Sequence, residues 1–352
     1  MLTFAHRITL FLTALVLTAC GSSTSGTNTS SAILGMTLSA DGNTLYLANA
    51  DKQVIQSLNL STLAVSTYAG GVNTAGTTNG SGTAARFFEP FALVNVGGTL
   101  FVADTYNHGV RQIDATQAVS TLAGTLGTVG ATDGTGTAAL FNYPKGITSN
   151  GTSIFVADTS NYLIRTVNPT TGDVSNPIGT SNQSGYVDGI GAGVKFGNPF
   201  GVAATATYVY VTDSTNNSIR SIKISDGTVA TIAGSTAGTN GSTDAATGPG
   251  TQARFNTPAG IVTDGTNIYV ADSNNHAIRK IVIATGVVST VAGTTGTAGS
   301  DNGTGTAAKF NTPIGLALDT ANGILYVSDQ NYTKVRKIVL STGVVTTLNA
   351  SF

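Results

Sequence analysis

The chain is poor in most of the residues from which catalytic centres are built. Of its 352 residues one is a cysteine, Cys20, one is a glutamate, Glu89, three are histidines and none is tryptophan. A lone cysteine excludes an internal disulfide. A lone glutamate removes a common general acid or base, so carboxylate chemistry would fall to aspartate. Charge is scarce as well: charged residues are 9% of the chain, and 16 Lys and Arg nearly balance 17 Asp and Glu with no basic run. No field is left that would hold a nucleic acid or an acidic membrane surface.

What fills the space is glycine, 44 residues of it, together with many Thr, Ser and Asn. That mixture suits a turn-rich, all-β protein with a surface of hydroxyls and amides.

The first residues read as a targeting segment. "MLTFAHR" gives a positive start and "ITLFLTALVLTA" an apolar run of signal-peptide length, short for a bilayer span. It ends in "LTAC" followed by Gly21, which resembles the bacterial lipobox and implies a lipid on Cys20, hence a membrane attachment. The expected organisation is a leader over 1–19, a flexible tether over 20–32 made of "GSSTSGTNTSSA" after the cysteine, and one domain over 33–352. By resemblance to sorting rules in Gram-negative bacteria, Gly21 in place of Asp implies the outer membrane.

The domain repeats itself. "VADTYNHGVRQI" returns as "VADSNNHAIRKI", and the residue closing this strand is Asn49, Asp104, Asp158, Asp213, Asp272 and Asp329, in steps of 55, 54, 55, 59 and 57 residues. Each unit holds four strand-like runs separated by Asp, Gly, Asn and Thr, the pattern of a propeller blade. Six units predict a six-bladed β-propeller of four-stranded antiparallel blades, approximately 33–70, 90–124, 144–179, 199–234, 258–293 and 313–348. No blade draws strands from both chain ends, so closure would rest on packing between blades 1 and 6.

The stretches "VADSNNHAIRKI" and "TGTAAKFNTPIGLALD" resemble the NHL-repeat family of six-bladed β-propellers, in the bacterial form with long interblade loops. The resemblance implies the fold over Ile33 to Phe352. The family includes scaffolds, ligand sensors and a few lyases, so it does not choose a function.

A group needed by every blade is a scaffold group. On that ground the pairs Asp104 with Arg111, Asp158 with Arg165, Asp213 with Arg220, Asp272 with Arg279 and Asp329 with Arg336 are structural, as are Phe87, Phe141, Phe196, Phe255 and Phe310, which should fix each long loop to the blade beneath.

Function is then sought where the repeat breaks on the loop-rich face. The position after the loop proline carries Phe91, Lys145, Phe200, Ala259 and Ile314, so Lys145 is the only charge in an apolar ring. The position before it carries Glu89, Tyr143, Asn198, Thr257 and Thr312. Glu89, Phe91, Tyr143, Lys145, Asn198 and Phe200 are therefore the candidate ligand-binding residues at one mouth of the ring.

His108 and His276 fall on opposite blades, too far apart to share a metal, and the Asp-Gly loops lack a full calcium ligand set, though structural Ca²⁺ stays open. The glycine-rich loops lack a phosphate-loop lysine. No catalytic residue, metal or cofactor is expected. The protein reads as a lipid-anchored binding or scaffold module of the cell envelope, with a protein or small ligand as partner. A lyase or lactonase using the central channel and a purely structural surface protein are the alternatives.

Overall fold

The computed structural model describes residues 32–236, 238–329 and 333–352. Cys20, the leader and all but the last residue of the tether lie outside them.

Alternating apolar residues between turn signals fold each repeat into an antiparallel up-and-down sheet. Blade 1 runs Ile33–Leu38, Thr44–Asn49, Val54–Asn59 and Val65–Ala69, in spatial order. The first strands of the others are Pro90–Val96, Pro144–Ser149, Pro199–Ala204, Pro258–Thr263 and Pro313–Asp319, and they pack side by side around the axis.

Blades 2, 3, 4 and 6 have five strands rather than the expected four. The long loop before each lays a two-residue strand, Gly80–Ser81, Gly134–Thr135, Gly189–Ile190 or Gly303–Thr304, against its outermost strand. Two residues carry no alternation, so no periodicity announces them.

Each loop is held by the recurring Asp and Arg. In blade 5, Arg279 Nη1 donates to Asp272 Oδ2 at 2.7 Å and to the Arg254 carbonyl at 2.9 Å, while Nη2 donates to the Thr243 carbonyl at 3.0 Å and Asp244 Oδ1 at 2.6 Å. Its guanidinium lies 5.0 Å from the centroid of Phe255. Asp272 Oδ1 accepts the Asn256 N–H at 2.7 Å, and Oδ2 accepts from Asn275 at 2.8 Å. Arg165 and Arg220 are bonded alike in their own blades, and so are Arg111 and Arg336 except that Asn79 and Asn302 stand in for the loop aspartate. Burial pushes Asp104, Asp158, Asp272 and Asp329 up to about 6, and their donors oppose the shift.

Blade 1 shows what the charge is for. Its pair is neutral, Asn49 Nδ2 donating to Gln56 Oε1 at 2.9 Å, and among the described residues no long loop precedes it. The buried ion pair occurs where a loop must be fastened.

The loop phenylalanines are fully buried, but each is a wedge between two blades rather than a plug onto one. Phe87 shares one buried cluster with Ala48, Ile55 and Ala69 of blade 1 and with Leu93, Val102 and Ile113 of blade 2.

At the axis the first strands approach so closely that side chains cannot fit. A Cβ on Gly35 would stand 2.5 Å from the Phe91 carbonyl oxygen, on Gly146 2.3 Å from that of Phe200, on Gly201 2.4 Å from that of Ala259, on Gly260 2.1 Å from that of Ile314 and on Gly315 2.3 Å from that of Leu34. The last of these crosses from blade 6 to blade 1, so that seam is packed like the others. Among the described residues no strand is exchanged across it. Met36, Leu45 and Leu47 meet Ala317, Tyr326 and Val335 there, with Ala350, Leu348 and Phe352 filling the outer part.

Candidate binding site on the loop-rich face

The long loops and the hairpin tips between second and third strands share one face of the disc, where every first strand also begins. A backbone device joins the blades on this face. The residue before the loop proline has a left-handed conformation at Glu89 (φ 48°), Tyr143 (50°), Thr257 (54°) and Thr312 (59°). Its N–H donates to the hairpin tip of the preceding blade: Gln53 Oε1 at 2.6 Å, His108 Nδ1 at 3.2 Å, Asn217 Oδ1 at 2.8 Å and His276 Nδ1 at 3.1 Å. The two histidines are thus hydrogen-bond acceptors in the seams, and burial lowers the pKa of both, which favours the neutral ring that can accept.

Asn198 departs from this series. The tip before it is Tyr162, whose ring offers no acceptor there, and the Asn198 N–H turns to Asp213 Oδ1 at 2.9 Å. It joins none of the groups described next.

Phe91, Lys145 and Phe200 do come together, although they sit on three blades. The two rings meet edge to face with centroids 5.0 Å apart, and Lys145 Nζ lies 5.6 Å from the Phe91 centroid and 4.8 Å from that of Phe200. The two rings join Ala32, Leu34, Ala50, Ala259 and Ile314 in one buried apolar cluster, of which Lys145, partly exposed, is not a member. The expected open mouth is therefore a plug. Behind it the central channel leaves a cavity of about 380 Å³ lined by first-strand residues, among them Thr37, Thr148 and Thr263, which runs toward the opposite face. There Leu38, Ser149 and Leu318 are partly exposed.

Lost hydration lowers the Lys145 ammonium to about 8, with Glu89 opposing the shift. Glu89 is itself raised by burial and by Asp51, while Lys145 acts against the rise. The two are coupled through space; among the described residues they form no ion pair.

Tyr143 belongs to a second group that the sequence expectations omitted. Its ring lies 5.0 Å from Tyr106 and 4.5 Å from His108, both edge to face, and Tyr106 lies 5.1 Å from Phe88. Phe88, Tyr106 and Tyr143 are all partly exposed. Where blade 2 has Phe88 the others have Asn142, Gly197, Asn256 and Asn311, and where it has Tyr106 they have Ser160, Thr215 and Asn274. These departures are visible in the sequence, two residues before the loop proline and two after the strand-closing Asp.

The arrangement gives one sector of the face, over blades 2 to 4, an aromatic surface next to the Lys145 amine and Glu89. Amide and hydroxyl residues surround the remaining sectors. Among the described residues no three His, Cys, Asp or Glu side chains are grouped to hold a metal.

Comparison with known proteins places this architecture. The family model for the NHL repeat matches residues 255–281, which lie in blade 5 and the loop before it. Protein SUPPRESSOR OF QUENCHING 1 of Arabidopsis thaliana is 30% identical over 256 residues, 69% of this chain and 24% of that protein. The human NHL repeat-containing protein 2 is 26% identical over 299 residues, 75% of this chain and 40% of that protein. The chain thus spans less than half the length of either relative.

Among solved structures, an auxiliary nutrient binding protein from Bacteroides thetaiotaomicron superposes with a TM-score of 0.63 at 15% identity, covering 90% of this chain and 69% of that one. Virginiamycin B lyase from Staphylococcus aureus gives 0.52 at 13% identity, over 90% and 83%. At such identities the likeness is one of fold. The repeat match, the relatives along three quarters of the chain and the ring of six blades agree: the chain belongs to the NHL-repeat family of six-bladed β-propellers.

Proposed function

We propose that this propeller is a lipid-anchored binding module of a bacterial cell envelope, which takes a protein or small-molecule partner on the sector of its loop-rich face over blades 2 to 4. One observation carries the proposal. The positions that break the repeat with aromatic or charged side chains converge on that sector: Phe88, Tyr106 and Tyr143 in one group, Phe91, Lys145 and Phe200 in the other. Aromatic rings beside a few polar groups, presented by loops on a rigid scaffold, are what recognition sites are made of. A bacterial relative in fold that carries the name of a nutrient binding protein is consistent with the same role.

The test is recovery of partners from envelope extract with wild-type protein and with Lys145→Met. Methionine keeps the apolar contacts and removes a poorly hydrated cation, so melting should stay within about 0.5 kcal/mol or improve, while recovery of the partner should fall. Equal recovery by both proteins would remove the sector from the site.

The anchor is proposed from "LTAC", and Gly21 in place of Asp after it points to the outer membrane if the host is Gram-negative. Among the described residues no helix is long and apolar enough to cross a membrane. A doubly or triply acylated cysteine holds to a bilayer through salt washing. Cys20→Ala should appear as unprocessed or released protein and should take up no labelled fatty acid; unchanged fractionation and labelling would rule out the anchor.

A further inference from the structure

We propose that Lys145 is a covalent docking point for a carbonyl compound, an aldehyde or ketone carried on an apolar or aromatic body, with which its amine forms an imine. The proposal rests on the loop-face site above and names the chemistry of its ligand.

The position of the amine carries it. Lys145 follows Pro144 at the start of the first strand of blade 3, and its Nζ is placed against the rings of Phe91 and Phe200 at the centre of the face. Among the described residues it has no ion pair, whereas Lys223 is paired with Asp226 and Lys309 with Asp301, each at 2.8 Å. Lys145 is partly exposed as a residue, with its amine held out of water against the two rings. Two ring faces return part of the hydration that the ammonium loses, and the remaining deficit leaves it at about 8. An amine held in apolar surroundings is the form in which lysine acts as a nucleophile near neutral pH.

The neighbouring groups suit the rest of the reaction. The nitrogen lone pair attacks the carbonyl carbon and one proton passes from nitrogen to oxygen; the resulting hydroxyl takes a second proton and leaves as water, and the iminium left behind gives up its remaining nitrogen proton. The sum is one amine and one carbonyl giving one imine and one water, with no redox partner. Glu89, whose carboxyl is raised by burial and by Asp51, is the acid on the adjoining blade that can give and recover the proton. The other titratable side chains of the sector include Tyr106, Tyr143, Tyr162 and His108, and the His108 Nδ1 is occupied by the Tyr143 N–H. A negatively charged ligand would meet Glu89 and Asp51, so the body of the ligand should be uncharged.

The experiment treats the folded protein with benzaldehyde and cyanoborohydride at pH 7 and measures reductive labelling of each lysine by peptide mass spectrometry. Lys145 should label at least about tenfold faster than exposed Lys334 at pH 7, that ratio should narrow as the pH rises above about 8, and benzaldehyde should outrun glyoxylate. Labelling of Lys145 no faster than Lys334 overturns the proposal, as does a preference for glyoxylate, which would indicate an anion site. In Phe200→Ala water reaches the amine and the excess should shrink; the wild-type comparison stands without that variant if it folds poorly. A chain that recovers its partner through Lys145 but shows no labelling excess keeps the binding role and loses the covalent one.

Discussion

Arg279→Ala is expected to lower the melting temperature by roughly 6–10 °C, from about 3–5 kcal/mol of lost stability. The guanidinium is fully buried and makes four hydrogen bonds, to one carboxylate of its own blade and to two carbonyls and a carboxylate of the incoming loop. Its removal leaves Asp272 buried without a counter-charge and unfastens the loop that carries Phe255. Asp272 can take up a proton, which limits the loss. The double change Asp272→Asn with Arg279→Gln copies the neutral pair of blade 1 and should lose less than half as much as Arg279→Ala, because no charge is stranded. Thermal melts of the two variants decide the matter. Equal losses would mean that fastening the loop, and not the stranded charge, dominates.

Gly260→Ala should cost about 3 kcal/mol, the upper end of what overpacking costs. The added methyl carbon would stand 2.1 Å from the Ile314 carbonyl oxygen, and that oxygen belongs to backbone that cannot swing aside. The closed ring makes relief harder, since widening one seam presses on the other five. Gly193→Ala is the control: it meets nothing within 4 Å and should melt within about 0.5 kcal/mol of wild type. Two identical substitutions with equal melts would show that the first strands are less tightly ringed than their spacing implies.

Much of this architecture was legible because the sequence states it several times. The Asp to Arg interval repeats in five blades, and a side-chain pair that recurs so often must do something each blade requires. The fifth strands were not legible, since Gly80–Ser81 and its counterparts are too short to show a period. The site was legible only in part. Lys145 stood out as the one charge among apolar residues, yet no feature of the sequence says that the axis is narrow enough for Phe91 of blade 2 and Phe200 of blade 4 to touch beside it. Phe88 and Tyr106 break the repeat as plainly as Tyr143 does and were open to the same comparison.

The point where the chain enters the disc has a consequence for its working environment. Ala32, the first described residue, is buried in the plug with Phe91, its N–H donating to Asp51 at 3.1 Å, so the described chain begins in the middle of the loop-rich face. A lipid on Cys20 would therefore suspend the ring by its centre, like a lamp on a short cord. At about 3.3–3.6 Å per residue the intervening dozen residues allow a standoff of about 40 Å at most. Lys145 and its aromatic neighbours would then look toward the bilayer, and the outlet of the channel away from it. A partner would have to slip in sideways, so lengthening the cord with added Gly and Ser should speed its arrival and leave its residence time unaltered.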